Sequence, residues 1–288
     1  MKPINVLVTG ADSQLGKTLK ELSHLSIFDF DFTDKEILDI SHKNAIFDAF
    51  EAENYDFCFN FAAYTDVNKA ETEQKMCYNI NVQAIENLAK ACKKHHTTLV
   101  HISTDFVFDG KKEIPYIETD ETNPLNYYGQ SKLLGEQAIQ KQLREHFIIR
   151  TSWLYSRYNN NFVKTISRLA QTDKPLNIVA DQMGTPTYAV DLIDFILRIV
   201  TSENNKTYGL YHYSNNGSAS WFDFGEEIIK KLKINKQITA VDSDAFKTPA
   251  KRPAYSVLSK EKAMVTFGIQ PRDWQDALAD YFISIGKS

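Results

Sequence analysis

The chain has 288 residues, a formal net charge of −4, 43% hydrophobic residues and 24% charged ones. This is the composition of a globular protein long enough for two domains or one large α/β unit. No basic surface suited to nucleic acid, no polybasic membrane signal and no apolar run of membrane length is present, so neither partner is expected.

Cys58, Cys77 and Cys92 lack metal spacing and read as free thiols in a reducing compartment. The N-terminus enters a strand at once, without a signal peptide, and a cytoplasmic protein is expected. Ile4 to Thr9 is a short β-rich run. Gly10-Ala11-Asp12-Ser13-Gln14-Leu15-Gly16 follows, then Leu19, Leu22 and Leu25 at helical spacing. Strand, tight turn and helix in this order aim backbone N–H groups and a helix N-terminus at a pyrophosphate. Ser13 stands where many dinucleotide folds have a third glycine; its Cβ crowds the phosphate approach, although its hydroxyl can donate. The bland reading is a plain βα turn.

Ile27 to Phe32 alternates apolar and acidic residues, as a strand near a sheet edge does. Asp31 lies fifteen residues past Gly16, where a carboxylate can take adenosine ribose hydroxyls; Asp29 and Asp31 serve equally well as solvated strand positions. Asp39-Ile40 closes the next loop, and a helix is predicted over about 42–53. Asp56 to Ala63 reads as a buried strand ending in the small residues Ala62 and Ala63, which permit close approach of a ligand; Tyr64-Thr65-Asp66 starts the loop. A helix is predicted over 74–95, in which Asn79 and Asn81 read as helix–helix hydrogen bonders. Leu99 to Asp105 is the fourth strand of a parallel series and ends in Ser103-Thr104-Asp105. In such sheets ligands sit beyond the carboxyl ends of the strands, which puts Gly10–Gly16, Ala62–Thr65 and Ser103–Asp105 along one edge.

Asn126-Tyr127-Tyr128-Gly129-Gln130-Ser131-Lys132 opens a helical segment after a Pro-containing loop. Tyr128 and Lys132, four apart, stack on one face, whereas Tyr127 points away. An ammonium beside a phenol lowers the phenol's pKa and makes it a usable proton donor. A surface Tyr-Lys pair is the bland alternative. With Thr104 reaching the same carbonyl oxygen, the set meets the demands of carbonyl reduction by a hydride-carrying cofactor. Phe147–Arg150 is a fifth strand, followed by the aromatic run Trp153-Leu154-Tyr155. Beyond it come a helix over about 160–171, a loop at 181–187, a helix over about 188–202, the strand 209–213 and a helix over 221–232. Thr248 to Pro253 is a Pro-bounded turn in which Arg252 is either a phosphate fork or a surface charge.

The segments VTGADSQLG, NFAAYTDVNKAE, HISTDFVFDG, PLNYYGQSKLLGE, IIRTSWLY, NNFVKTISRLA, VADQMGTPTYAVDL and TPAKRP resemble the extended short-chain dehydrogenase/reductase superfamily, and more narrowly the dTDP-4-dehydrorhamnose reductase family. The likeness runs from residue 4 to about 253. It implies a doubly wound, Rossmann-like parallel sheet over residues 1–155. A smaller α+β substrate domain over 156–288 would send segments back to the first. It implies NADPH or NADH as cofactor and a dTDP-linked 4-keto sugar as substrate. On the matching positions, Tyr128 would be the proton donor, Lys132 would hold the nicotinamide ribose, and Thr104 would bond the keto oxygen. Asp105 and Trp153 would contact the sugar, with Phe106 where the family usually has tyrosine, and Arg252 the diphosphate side. Gly10, Ser13, Gln14, Leu15, Gly16, Asp31, Asp39, Ile40, Ala62, Ala63, Tyr64 and Thr65 would line the cofactor. A homodimer is compatible with the resemblance. Lys17-Thr18 replaces an acid that some members use in a magnesium-bridged dimer, so no metal is expected. The alternatives are an epimerase or dehydratase of the same superfamily, with Asp105 as an extra acid–base group, and a non-catalytic regulatory subunit.

Overall fold

Val6, Leu7 and Val8 are completely buried because helices cover both faces of their strand, β1 (Ile4–Thr9). The computed structural model describes residues 3–23 and 27–286. Leu25, expected on the first helix, lies outside them. From β1 the chain runs through α1 (Gln14–Leu22), β2 (Phe28–Thr33), α2 (Lys43–Ala52), β3 (Phe57–Asn60), α3 (Gln74–Tyr78), α4 (Ala84–His95), β4 (Thr98–Thr104), α5 (Tyr127–Gln142) and β5 (His146–Thr151). The second half contains β6 (Leu154–Tyr155), α6 (Phe162–Leu169), β7 (Leu176–Val179), β8 (Met183–Gly184), β9 (Thr187–Tyr188), α7 (Ala189–Thr201) and β10 (Gly209–His212). It continues through β11 (Ala219–Ser220), α8 (Trp221–Leu232), β12 (Ile238–Val241), α9 (Glu261–Phe267) and α10 (Trp274–Ser284).

The main sheet has the order β10-β5-β4-β3-β1-β2 and every pairing in it is parallel. The order reverses between β1 and β3, so a crevice opens beyond their carboxyl ends. β2 is the edge strand, as its alternating acids predict. One helical layer packs Leu15, Leu19, Leu192, Ile193 and Ile196 on the sheet; the other packs Ile46, Phe50, Ile85, Leu88 and Ile139 on its opposite face. Residues 189–212 thus supply a covering helix and the sixth strand to the first sheet. A third core joins Val163, Ile166, Phe224, Ile228, Leu278 and Phe282 of α6, α8 and α10 beside three two-stranded sheets. No helix among the described residues is long and apolar enough to cross a membrane.

The helix predicted over 74–95 is interrupted. Residues 79–83 widen into a π-turn between α3 and α4. The wider turn lets Asn81 leave its helix register: its Oδ1 accepts from Tyr64 N at 2.9 Å, and its Nδ2 donates to Tyr64 O at 3.0 Å and to Ser131 Oγ at 2.9 Å. Gly135 of α5 rests against the Asn81 carbonyl, where a Cβ would collide. One asparagine therefore fixes the loop after β3 and the height of α5 together.

Candidate active site

A cavity of about 1160 Å³ opens at the strand carboxyl ends. Its walls include Gly10, Ser13, Gln14 and Leu15 after β1, Asp39 and Ile40 after β2, and Ala62, Ala63 and Thr65 after β3. Thr104, Asp105 and Phe106 follow from β4, Tyr128 and Lys132 from α5, and Trp153 from beyond β5. Most of the residues predicted from the sequence therefore meet in one place.

The first turn is shaped for close approach. Gly10 has φ +70°, and a Cβ there would lie 2.5 Å from Ala62 N; only glycine is comfortable at such a site. Ser13 has an extended backbone (φ −69°, ψ 170°), so glycine is not required. Its Oγ accepts from Gly16 N at 3.0 Å and caps α1. The serine thus substitutes for the missing glycine without strain, and its hydroxyl hydrogen stays free for an anion. These features, with the α1 N-terminus, fit a dinucleotide pyrophosphate.

At the far end, Asn126 caps α5 by accepting from Gly129 N at 2.8 Å. Gly129 lies against the carbonyl of Phe106, closer than any Cβ allows. This contact presses the first turn of α5 onto the end of β4 and sets the Tyr128 phenol beside the Thr104 hydroxyl on the cavity wall. The Phe106 ring meets Tyr128 edge-on, with centroids 6.0 Å apart. Thr104 Oγ1 also donates to Asp105 Oδ1 at 3.0 Å, while Asp105 Oδ2 is buried without a partner. Burial pushes the Asp105 carboxyl up to about 6.

Lys132 is 2% exposed. Its Nζ donates to Ile102 O at 2.6 Å and lies 3.1 Å from His101 Nε2. Burial pushes this lysine down to about 8 against the opposing charge of Glu136. The expected depression of the Tyr128 pKa is not what the site shows. Burial raises it, the Asp105 charge adds to this, and the Thr104 hydrogen bond opposes. Desolvation of the phenol decides the direction, and the ammonium of Lys132 is engaged by Ile102 and His101 instead. Tyr128 is therefore a protonated phenol at neutral pH, the form a proton donor needs. Tyr127 does not line the cavity; its ring packs beside Tyr64, Ala70 and Cys77.

Four expectations need correction. Asp31 lies two residues short of the end of β2 and accepts from Tyr55 OH at 2.5 Å, away from the cavity, whose wall carries Asp34 and Lys35 instead. Replacing Asp31 with Asn should accordingly leave the NADH-to-NADPH ratio of kcat/KM within about twofold, too small for a lost ribose contact; a tenfold change would restore Asp31 to the site. Gly16 is a packing glycine whose Cβ would lie 2.5 Å from Gly10 O and Ala11 O. Tyr64 is buried, and its hydroxyl donates to Glu73 Oε2 at 2.7 Å. Arg252 is outside the cavity wall: its guanidinium donates to Thr248 Oγ1 at 2.7 Å, to Ala250 O and to Asn68 Oδ1. No carboxylate pairs with it among the described residues, and Asn126 Nδ2 donates to Lys251 O at 2.7 Å, which ties its turn to the α5 cap.

Trp153 is a cavity wall and a packed residue at once. It adopts φ +46° and stacks on Trp221 with centroids 3.5 Å apart and an interplanar angle of 9°. Gly184 lies against the same ring, where a Cβ would fall 2.5 Å from Cε2. Trp221 also faces the cavity. The sequence gives it only as the start of a helix. We expect Trp153→Ala to raise KM for the substrate by about tenfold, the value of an aromatic contact, with a lower Tm; an unchanged KM would make it packing alone.

An open parallel sheet with a Gly-rich first turn and a Thr–Tyr–Lys set at its edge defines an oxidoreductase of the extended short-chain dehydrogenase/reductase class. Within that class, residues 4–285 match the RmlD substrate binding domain family, and the chain belongs to it. It is 39% identical over 287 residues to the dTDP-4-dehydrorhamnose reductase of Aggregatibacter actinomycetemcomitans, covering 95% of this chain and 96% of that one. It also superimposes on a crystal structure of a dTDP-4-dehydrorhamnose reductase from Clostridium acetobutylicum, with a TM-score of 0.94, 37% identity and coverage of 98% and 99%. A Bacillus anthracis dTDP-4-dehydrorhamnose reductase solved in complex with NADP gives a TM-score of 0.93 at 37% identity, covering 99% of each chain.

Proposed function

We infer that the chain is an NAD(P)H-dependent reductase that converts dTDP-6-deoxy-L-lyxo-4-hexulose (dTDP-4-dehydrorhamnose) to dTDP-L-rhamnose. The observation that carries the reading is the meeting of Thr104, Tyr128 and Lys132 on the wall of one cavity at the strand ends. When bound, the reduced nicotinamide supplies hydride. Negative charge then grows on the keto oxygen, Tyr128 gives it a proton, and Thr104 turns its one hydroxyl hydrogen from Asp105 Oδ1 to that oxygen. Lys132 holds the cofactor's ribose as an ammonium. Because that role needs the charged form, kcat/KM should fall as pH rises through about 8, where Lys132 loses its proton. Asp105 offers its unpartnered oxygen to a sugar hydroxyl.

The buried free cysteines suit a reducing, cytoplasmic setting. A test is to incubate the protein with dTDP-4-keto-6-deoxyglucose, a 3,5-epimerase and NADPH or NADH. Stoichiometric loss of cofactor absorbance is expected, with both cofactors used. The buried Asp105, with its raised pKa, favours an epimerase or dehydratase as the second reading; that enzyme would purify with its cofactor bound and would not consume it.

A further inference from the structure

Three buried polar residues stand behind Lys132 and have no role in the chemistry assigned above: His101 on β4, Asn60 on β3 and Thr9 on β1. They are 0%, 1% and 0% exposed. Asn60 Nδ2 lies 2.8 Å from His101 Nδ1, and Asn60 Oδ1 accepts from Thr9 Oγ1 at 2.6 Å. The line Lys132–His101–Asn60–Thr9 crosses three adjacent strands of the sheet. Buried polar chains of this kind are costly unless every member is paired.

We propose that His101 is a positioning residue for the catalytic lysine: its Nε2 and the Ile102 carbonyl take two of the three Lys132 N–H groups, leaving the third for the cavity. This rests on the role of Lys132 proposed above. An ammonium has three donors and no lone pair, so Nε2 has to be bare and Nδ1 has to carry the ring's proton. The Asn60 amide must then be turned end for end from this arrangement, its carbonyl oxygen to Nδ1 and its NH2 to Thr9 Oγ1. The opposite setting, with Asn60 Nδ2 donating to Nδ1, puts the ring proton on Nε2 and requires a neutral Lys132. A charged Lys132 therefore fixes which way the Asn60 amide faces.

The surroundings favour a neutral ring. Burial holds His101 well below the usual histidine range, and the Lys132 charge and His146 on β5 act in the same direction. Glu136, one turn beyond Lys132, is the nearest carboxylate, and it is engaged by Arg150 and Ser103. Cys77 of α3 faces Lys132 as a thiol, its pKa raised by burial. Tyr128 and Asp105 lie on the cavity side.

The test uses the whole protein labelled with ¹⁵N-histidine and ¹³Cε-lysine. His101 is assigned by its loss in His101→Gln, and Lys132 by its loss in Lys132→Arg. In the wild type at pH 6.5 to 7 the ¹⁵N shifts should show a neutral His101 with its proton on Nδ1. An Nε2–H ring or an imidazolium at that pH overturns the proposal without any variant having to fold. In His101→Leu the Lys132 titration should move down by about one unit, the equivalent of one lost hydrogen bond to a charged group. The basic limb of kcat/KM should move with it. His101→Gln, which keeps an acceptor near Nε2, should restore most of the shift. A folded His101→Leu protein with unshifted Lys132 overturns the proposal. The two readings fail separately: a wild type with the Nδ1–H ring but no keto-sugar turnover removes the reductase function alone. A wild type that turns over with an Nε2–H ring removes this role alone.

Discussion

Tyr128→Phe should lower kcat by about 10²–10⁴-fold, the usual contribution of a general acid. The substitution keeps the ring that meets Phe106 edge-on and deletes only the hydroxyl beside Thr104. Folding and cofactor affinity should therefore stay near wild type, and the loss should appear in kcat and not in KM. Thr104→Val removes one hydrogen bond and leaves the proton donor, so its cost should be smaller. Tyr127→Phe should be almost silent, because Tyr127, unlike Tyr128, does not line the cavity. The measurement is steady-state turnover of the three variants. Equal losses at Tyr127 and Tyr128 would remove the mechanism.

The second large effect is on stability. Arg150→Met should lower Tm by about 10 °C. Glu136 and Arg150 are 1% and 3% exposed. Arg150 Nε donates to Glu136 Oε1 at 2.9 Å and Arg150 NH2 to Oε2 at 2.7 Å. Ser103 Oγ donates to the same carboxylate at 2.5 Å, and the guanidinium lies 5.1 Å from the centre of the Phe108 ring. Removing one partner of such a pair leaves a buried, uncompensated charge, which costs about 3–5 kcal/mol. At about 2–4 °C per kcal/mol for a chain of this size class, that gives the stated shift. Replacing both with Met should cost less than replacing Arg150 alone, since no charge is then stranded. Calorimetry on the single and double variants checks this; a single variant within about 2 °C of wild type would show that the pair is solvated. Because the pair ties α5 to β4 and β5, the single variant should also lose activity as Tyr128 and Thr104 drift apart.

Much of the site is legible in the sequence because it rests on short-range geometry. Four-residue spacing on a helix puts Tyr128 and Lys132 on one face, and polar residues just after apolar runs mark strand ends. Asp31 fails for a related reason: counting from Gly16 does not give the length of β2, which continues to Thr33 and presents Asp34 and Lys35 to the cavity. Spacing does not give the phenol's electrostatics, because it says nothing of burial, and burial decides the sign. His101 reads as one more residue of an apolar strand; only the pairing of β3 with β4 and β1 brings Asn60 and Thr9 into line with it. Strand β10 joins β5 across some sixty residues of chain, a contact no local pattern carries. Gly129 sits within the Tyr128–Lys132 motif, yet its role depends on the Phe106 carbonyl of another element.

The central claim is that this chain adds hydride to the C4 keto carbon and a proton to its oxygen, and then releases the oxidised cofactor. The most direct measurement supplies the keto sugar with NADPH deuterated at the transferring position of C4 and follows both products. The account predicts one deuterium at C4 of dTDP-L-rhamnose for each NADPH oxidised. Product without deuterium, or cofactor returned to its reduced form each cycle, would contradict it.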